Sequence, residues 1–263
     1  MSQDIVIVDA FAERPFAGNA AAICVLSEPR DAAWMQHVAS EMNLSETAYV
    51  YREGDTFRLR WFTPTMEVDL CGHATLAAAH VLWSEGHLSA DSPAQFDTNS
   101  GRLTATRDGD WIRLDFPAEP CIEVTPPDML SDALGATPVF VGKNRFDLLA
   151  ELESENAVRS LAPNLQLVKT IPVRGVIVTS RCESGEYDFV SRFFAPQCGV
   201  NEDPVCGSAH CCLTPYWSAA LGKRELLAYQ ASARGGVLRL RLAGARVELS
   251  GRAITTMRGR LTV

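Results

Sequence analysis

Apolar and polar residues alternate along much of this chain with the two-residue period of half-buried strands. Asp4 to Phe11, Ala21 to Leu26, Thr47 to Arg52 and Thr56 to Phe62 predict four strands in the first half. Leu103 to Arg107 and Trp111 to Phe116 predict a hairpin around Asp108-Gly109-Asp110. Within Asp31 to Met42, Trp34, Met35, Val38 and Met42 fall at helical spacing. The second half repeats this order. Pro138 to Val141, Phe146 to Glu151, Gly175 to Thr179, Tyr187 to Phe194 and Leu226 to Ser232 predict strands, and Glu153 to Leu161 a short helix. Val237 to Leu242 and Arg246 to Leu249 predict a hairpin around Gly244. Ala253 to Val263 predicts a last strand, free to return to the first half, and the proline-rich Pro117 to Pro127 predicts a linker.

Two segments break the alternation. Leu70 to Trp83 and Pro204 to Leu221 contain no Asp, Glu, Lys or Arg. A helix that is apolar all round belongs in a core. Asp69 and the pair Asp203-Pro204 are the expected starts, Gly86 and Gly222 the expected stops. Pro215, inside the second helix, removes one hydrogen bond and is expected to kink it. Each half is then a strongly curved, mostly antiparallel sheet wrapped around one buried helix, an α/β (α+β) class.

The halves are a duplication. Cys71-Gly72-His73-Ala74 recurs as Cys206-Gly207-Ser208-Ala209, an offset of 135 that also pairs Leu103 with Leu238, Gly109 with Gly244 and Leu114 with Leu249. Arg60-Trp61-Phe62-Thr63-Pro64 pairs with Arg192-Phe193-Phe194-Ala195-Pro196 at offset 132, so the second loop is three residues longer. Two domains follow, residues 1–116 and 117–263, with 253–263 able to pack back on the first. Helix N-termini offer unpaired N–H groups and partial positive charge, and glycine lets a ligand approach them. Two such ends at one cleft would hold a carboxylate. The same field is expected to lower the pKa of Cys71 and Cys206. One thiolate could then take a proton from carbon while the opposite thiol gives one.

Composition narrows the classes. The chain has 263 residues, is 47% hydrophobic and carries net charge −8 with no polybasic run. That argues against sequence-independent nucleic-acid binding. No basic-then-apolar leader and no spanning segment is read, so a cytoplasmic protein is expected. Its eight cysteines are then reduced thiols. Cys24, Cys121, Cys182, Cys198, Cys211 and Cys212 read as small buried hydrophobes. His73, Cys206 and His210 form no closed four-ligand metal set, so no metal is expected. Asp203 sits beside a helix end and is suited both to capping and to orienting a substrate. Glu46, between a helix and a strand, reads by position alone as a turn carboxylate.

Four ordered motifs change that last reading. Asp9-Ala10-Phe11 through Pro15-Phe16-x-Gly18-Asn19-Ala20, then Asn43-Leu44-Ser45-Glu46-Thr47, Phe62-x-Pro64 with Leu70-Cys71-Gly72-His73-Ala74-Thr75, and Glu202-Asp203-Pro204-Val205-Cys206-Gly207-Ser208-Ala209-His210 span the chain. Together they resemble the phenazine-biosynthesis PhzF-like family, which shares the fold of diaminopimelate epimerase. The resemblance implies two pseudo-symmetric domains with the site between them, frequent homodimers and no cofactor. It implies that Glu46 is the proton-moving group, that Asn19, His73, Asp203 and Ser208 match positions of the family's motifs, and that Gly72 and Gly207 are backbone donors. Many relatives carry threonine where this chain has Cys206, and diaminopimelate epimerases carry asparagine where it has His73. The chain thus combines parts of two mechanisms.

The expected function is a cofactor-independent isomerase of a small carboxylate-bearing metabolite, using Glu46 as acid–base with His73 and Asp203 orienting. A two-thiol racemase or epimerase using Cys71 and Cys206 is the alternative. A metabolite-binding or redox-sensing protein without turnover is the third reading.

Overall fold

The alternating segments form strands with one face covered. In the computed structural model, which describes residues 2–262, the chain divides into two units. Unit 1 holds the residues up to Asp115 and those from Ser250 onward; unit 2 is Phe116–Leu249.

In unit 1, β1 (Gln3–Ala10) runs antiparallel to β2 (Asn19–Leu26). Helix α1 (Ala32–Met42), capped by Asp31 as its spacing predicts, carries the chain to β3 (Glu46–Glu53), parallel to β2. Strand β4 (Thr56–Phe62) folds back on β3 and then on the short β5 (Glu67–Val68). Helix α2 (Gly72–Ser84) follows, and β6 (Ala94–Thr98) returns parallel to β4. Strands β7 (Gly101–Asp108) and β8 (Trp111–Pro117) make the predicted hairpin. The last strand, Ala253–Leu261, pairs antiparallel with β1. Most of α2 is buried, His73 through Ala79 and Val81 through Trp83, which is what a charge-free helix requires.

Unit 2 contains β9 (Ile122–Glu123), α3 (Leu130–Leu134), β10 (Phe140–Lys143), β11 (Asp147–Glu151), α4 (Glu155–Arg159), α5 (Leu165–Val168), β12 (Gly175–Arg181), β13 (Phe189–Ala195), β14 (Val200–Asp203), α6 (Gly207–Leu221), β15 (Glu225–Gln230), β16 (Gly236–Ala243) and β17 (Arg246–Gly251). Its pairings repeat those of unit 1. Strands β11 and β12 are parallel, β12–β13 and β13–β14 antiparallel, β13–β15 parallel and β15–β16 antiparallel. The repeat extends to side chains. Arg60 forms a two-pronged ion pair with Glu67 across β4–β5, and Arg192 forms one with Glu202 across β13–β14. Each pair fastens the hairpin that leads into a central helix.

Two expectations fail at the helix starts. Neither Asp69 nor Asp203 is the cap; the capping positions are Cys71 and Cys206. Asp203 instead accepts from the Val205 N–H at 3.0 Å. Helix α6 runs on past Pro215. The carbonyl that Pro215 leaves without its helical donor, that of Cys211, accepts from Glu119 N–H at 3.0 Å. The Pro117 to Pro127 segment is therefore bonded along unit 2, with Ala118 N–H on Ala245 O as well. No described helix is long and apolar enough to cross a membrane.

His210, one turn into α6, is fully buried and stacks on Phe189. Its Nδ1 lies 2.8 Å from Cys206 O, so that nitrogen carries the proton; burial pulls the pKa down to about 4. Between the ordinary value of 6.5 and about 4, the unfolded chain takes up a proton that the folded chain refuses. Stability is therefore expected to fall by up to about 3 kcal/mol as pH drops through that window. Urea titrations across the window should show it, with the slope flattened in His210→Gln.

Candidate active site

The starts of β2, β3 and α2 converge in unit 1, since β2 and β3 are parallel with Ala21 opposite Glu46. Asn19 opens β2, Glu46 opens β3 and His73 sits in the first turn of α2. His73 Nδ1 lies 3.2 Å from Asn19 Nδ2 and 3.5 Å from Cys71 Sγ. In the protonated ring both nitrogens carry hydrogens, so Nδ1 faces Cys71 Sγ and the Asn19 amide while Nε2 faces Glu46. Nε2 is 3.0 Å from Glu46 Oε2. That contact is close in charge but poorly aligned, since neither atom has a well-directed hydrogen bond. Glu46 keeps 18% of its side chain exposed while His73 keeps 5%. The carboxylate is thus the member of the pair open to a ligand.

The charges follow from this packing. Burial alone would keep His73 neutral; the Cys71 sulfur and the Glu46 carboxylate reverse the sign and hold its pKa well above the ordinary value. Burial and the Glu46 charge raise the Cys71 pKa, against the pull of His73 and the Ala74 amide. In unit 2, burial and the Asp203 charge raise Cys206 well above its ordinary value, against Arg174, Ser208 and the Ala209 amide. This corrects the expectation of partly ionised thiols. The field at a helix end contributes about 0.3–1 kcal/mol at the surface, and here burial beside a carboxylate outweighs it. Cys198 is also not buried; it is the one exposed thiol among the described residues. Mild alkylation at neutral pH is expected to label Cys198 first and Cys71 and Cys206 more slowly by about tenfold or more, as peptide mass spectrometry would read.

In unit 2 the start of α6 is held by other groups. Gln230, fully buried, accepts from the Cys206 N–H at 2.9 Å and donates to Asp203 O at 2.6 Å. Cys206 Sγ is 3.3 Å from Ser208 Oγ. Arg174 Nη2 donates to Ser208 Oγ at 2.9 Å, and Nη2 and Nε donate to the carboxylate of Asp147 at 2.5 and 2.9 Å. Gly72 and Gly207 are the first residues of their helices. The structure therefore gathers Asn19, Glu46, Cys71, Gly72 and His73 in one unit, and Asp203, Cys206, Gly207 and Ser208 in the other.

Sequence reasoning missed Asp147, Arg174 and Gln230. The available signal was a lone polar residue at the end of an otherwise apolar strand, as Asp147 is before Leu148-Leu149-Ala150 and Gln230 after Ala228-Tyr229.

Glu46, Cys71 and His73 offer three ligand atoms within 4.8 Å of one another. A cation there needs the thiolate, and the raised Cys71 pKa opposes it. The trio is better matched to proton handling, with a carboxylate to move a proton, an imidazolium to steady it and an amide to fix the ring.

A family model described as "Phenazine biosynthesis-like protein" (PhzC-PhzF) matches residues 8–259. The chain is 57% identical, over 99% of both chains, to an uncharacterized isomerase of Halalkalibacterium halodurans. The crystal structure of a PhzF-family phenazine biosynthesis protein from Enterococcus faecalis superposes with TM-score 0.96 at 41% identity, each chain fully covered. A predicted epimerase of Pseudomonas aeruginosa, 21% identical over 99% of both chains with TM-score 0.78, shares the fold.

Proposed function

Because the chain belongs to the phenazine biosynthesis-like (PhzC-PhzF) family, we propose that it is an isomerase moving a proton between carbon positions of a small carboxylate-bearing metabolite. Glu46 is the acid–base. The observation that carries this reading is the partly exposed Glu46 side chain, whose carboxylate is held 3.0 Å from buried His73. His73, held by Asn19 and placed against Glu46, positions the carboxylate that accepts a proton from carbon and supports its return. The backbone N–H groups of Gly72 and Gly207, with Ser208 and Asp203, bind and orient the acidic substrate. The raised pKa values of Cys71 and Cys206 favour Glu46 over a resting thiolate as the base. The names of relatives as isomerases support the reaction class. The same reading includes a cytoplasmic homodimer working without cofactor, which sedimentation and turnover of the dialysed protein would test.

The test is proton NMR of candidate substrates incubated with the enzyme in D2O: a dihydro-hydroxyanthranilate, diaminopimelate, and proline or hydroxyproline. Deuterium entering carbon together with a moved double bond supports the Glu46 reaction. An inverted stereocentre that depends equally on Cys71 and Cys206 would overturn it.

A further inference from the structure

Strand register identifies which residues of the two units occupy equivalent places. Phe62 and Phe194 match through the repeated Arg-x-Phe motif. Thr47 pairs with Phe62, and Val176 pairs with Phe194. Glu46 therefore corresponds to Gly175. Glu46 pairs with Ala21, and Gly175 pairs with Asp147, so Ala21 corresponds to Asp147. His73 corresponds to Ser208 by the offset of the Cys-Gly motifs. Where unit 1 places an acid against its helix start, unit 2 has no side chain. A Cβ on Gly175 would meet Phe193 Cζ at 2.4 Å. The preceding residue, Arg174, reaches the helix start instead.

Arg174 is fixed on one side only. Its Nε and Nη2 are taken by Asp147 and Ser208. Asp147 is fully buried while Arg174 keeps 35% of its side chain exposed. Among the described residues, Nη1 has no hydrogen-bond partner. The guanidinium borders an open surface depression of about 440 Å³ lined by Lys143, Arg145, Phe146 and Gln197 among others, with no carboxylate in the lining. Lys143 has no ion-pair partner among the described residues, and Arg145 pairs with Glu119 at 2.5 Å. Both arginines lie over the Phe146 ring, at 4.2 and 5.0 Å from its centroid. A preorganised guanidinium edge beside two further cations fits a planar or tetrahedral oxyanion.

We propose that unit 2 carries an oxyanion-binding site in this depression, with Arg174 as its fixed donor and Lys143 and Arg145 as its rim. It rests on the isomerase reading to infer that the substrate bears a second acidic group, beyond the carboxylate held at the helix starts. The substrate class narrows to small diacids or phosphorylated acids.

Calorimetric titration with inorganic phosphate and with benzoate tests this and distinguishes the two anion classes. At least one is expected to bind saturably to the wild-type protein. Arg174→Gln alone strands Asp147, so the informative variant is Arg174→Gln with Asp147→Asn, its folding checked by thermal unfolding. Loss of a charged hydrogen-bond donor is expected to weaken binding about 10–100-fold. Lys143→Ser with Arg145→Ser, both on the surface, should weaken it by a smaller factor that shrinks at high salt. Glu46→Gln should leave binding intact while removing turnover, so failure here is separable from failure of the Glu46 reading. No saturable binding by wild type, unchanged binding in the double charge-removal variant, or equal loss in Glu46→Gln would overturn the site.

Discussion

Glu46→Gln is expected to lower turnover by about 10²–10⁴-fold, the usual contribution of a positioned acid–base group. Glutamine keeps the shape and one oxygen near His73 Nε2 but cannot carry the proton. The substrate's Michaelis constant should change much less, because the binding groups are elsewhere. A second readout separates this from a merely structural role. The Glu46 charge is one of the influences that lift the His73 pKa against burial. Removing it should bring that pKa down, visible as a shifted titration of the His73 ring proton by NMR. In the wild type the sign is the reverse of the His210 case. A raised imidazole stabilises the fold below its unfolded pKa, and that contribution is lost as pH rises through the folded value. Full deuterium exchange by Glu46→Gln on an identified substrate would remove Glu46 from the mechanism. Mutation of the thiols would then be the next comparison.

Part of this site is legible in the sequence alone, and the reasons differ by residue. Helices α2 and α6 were legible because a charge-free segment of that length has no stable place except a core. The duplication was legible because its glycine and cysteine landmarks survive at one offset. Glu46 was legible only through resemblance, since an isolated carboxylate between a helix and a strand has no pattern of its own. The helix caps were misplaced for a physical reason. Aspartate is the better cap in water, but the turns before α2 and α6 bring Cys71 and Cys206 to the capping positions and leave Asp69 exposed. The thiol expectation failed similarly. Sequence shows the helix field but not the burial, nor that Glu46 and Asp203 approach the sulfurs. Arg174 was invisible because its partners lie at Asp147 and Ser208, and only strand register reveals that Gly175 stands where Glu46 does.

Arg174→Met is expected to destabilise unit 2 by about 3–5 kcal/mol, the cost of leaving a buried carboxylate without its counter-charge. Asp147 has no exposed side-chain surface, and its carboxylate faces the guanidinium through two hydrogen bonds. Solvent reaches the arginine but not the acid, so screening does little for the charge left behind. Pairing the change with Asp147→Leu removes the stranded charge and should restore most of the stability, since a matched apolar pair often equals a buried ion pair. Chemical denaturation of the wild type, the single variant and the double variant measures this directly. A single variant as stable as wild type would mean that the pair is no structural anchor. The double variant separates two roles of one side chain. Stability depends on Arg174 only while Asp147 is charged, whereas oxyanion binding depends on the free Nη1 edge whatever stands behind it. Recovered stability with binding still lost would show that unit 2 keeps this arginine for its ligand as well as for its fold.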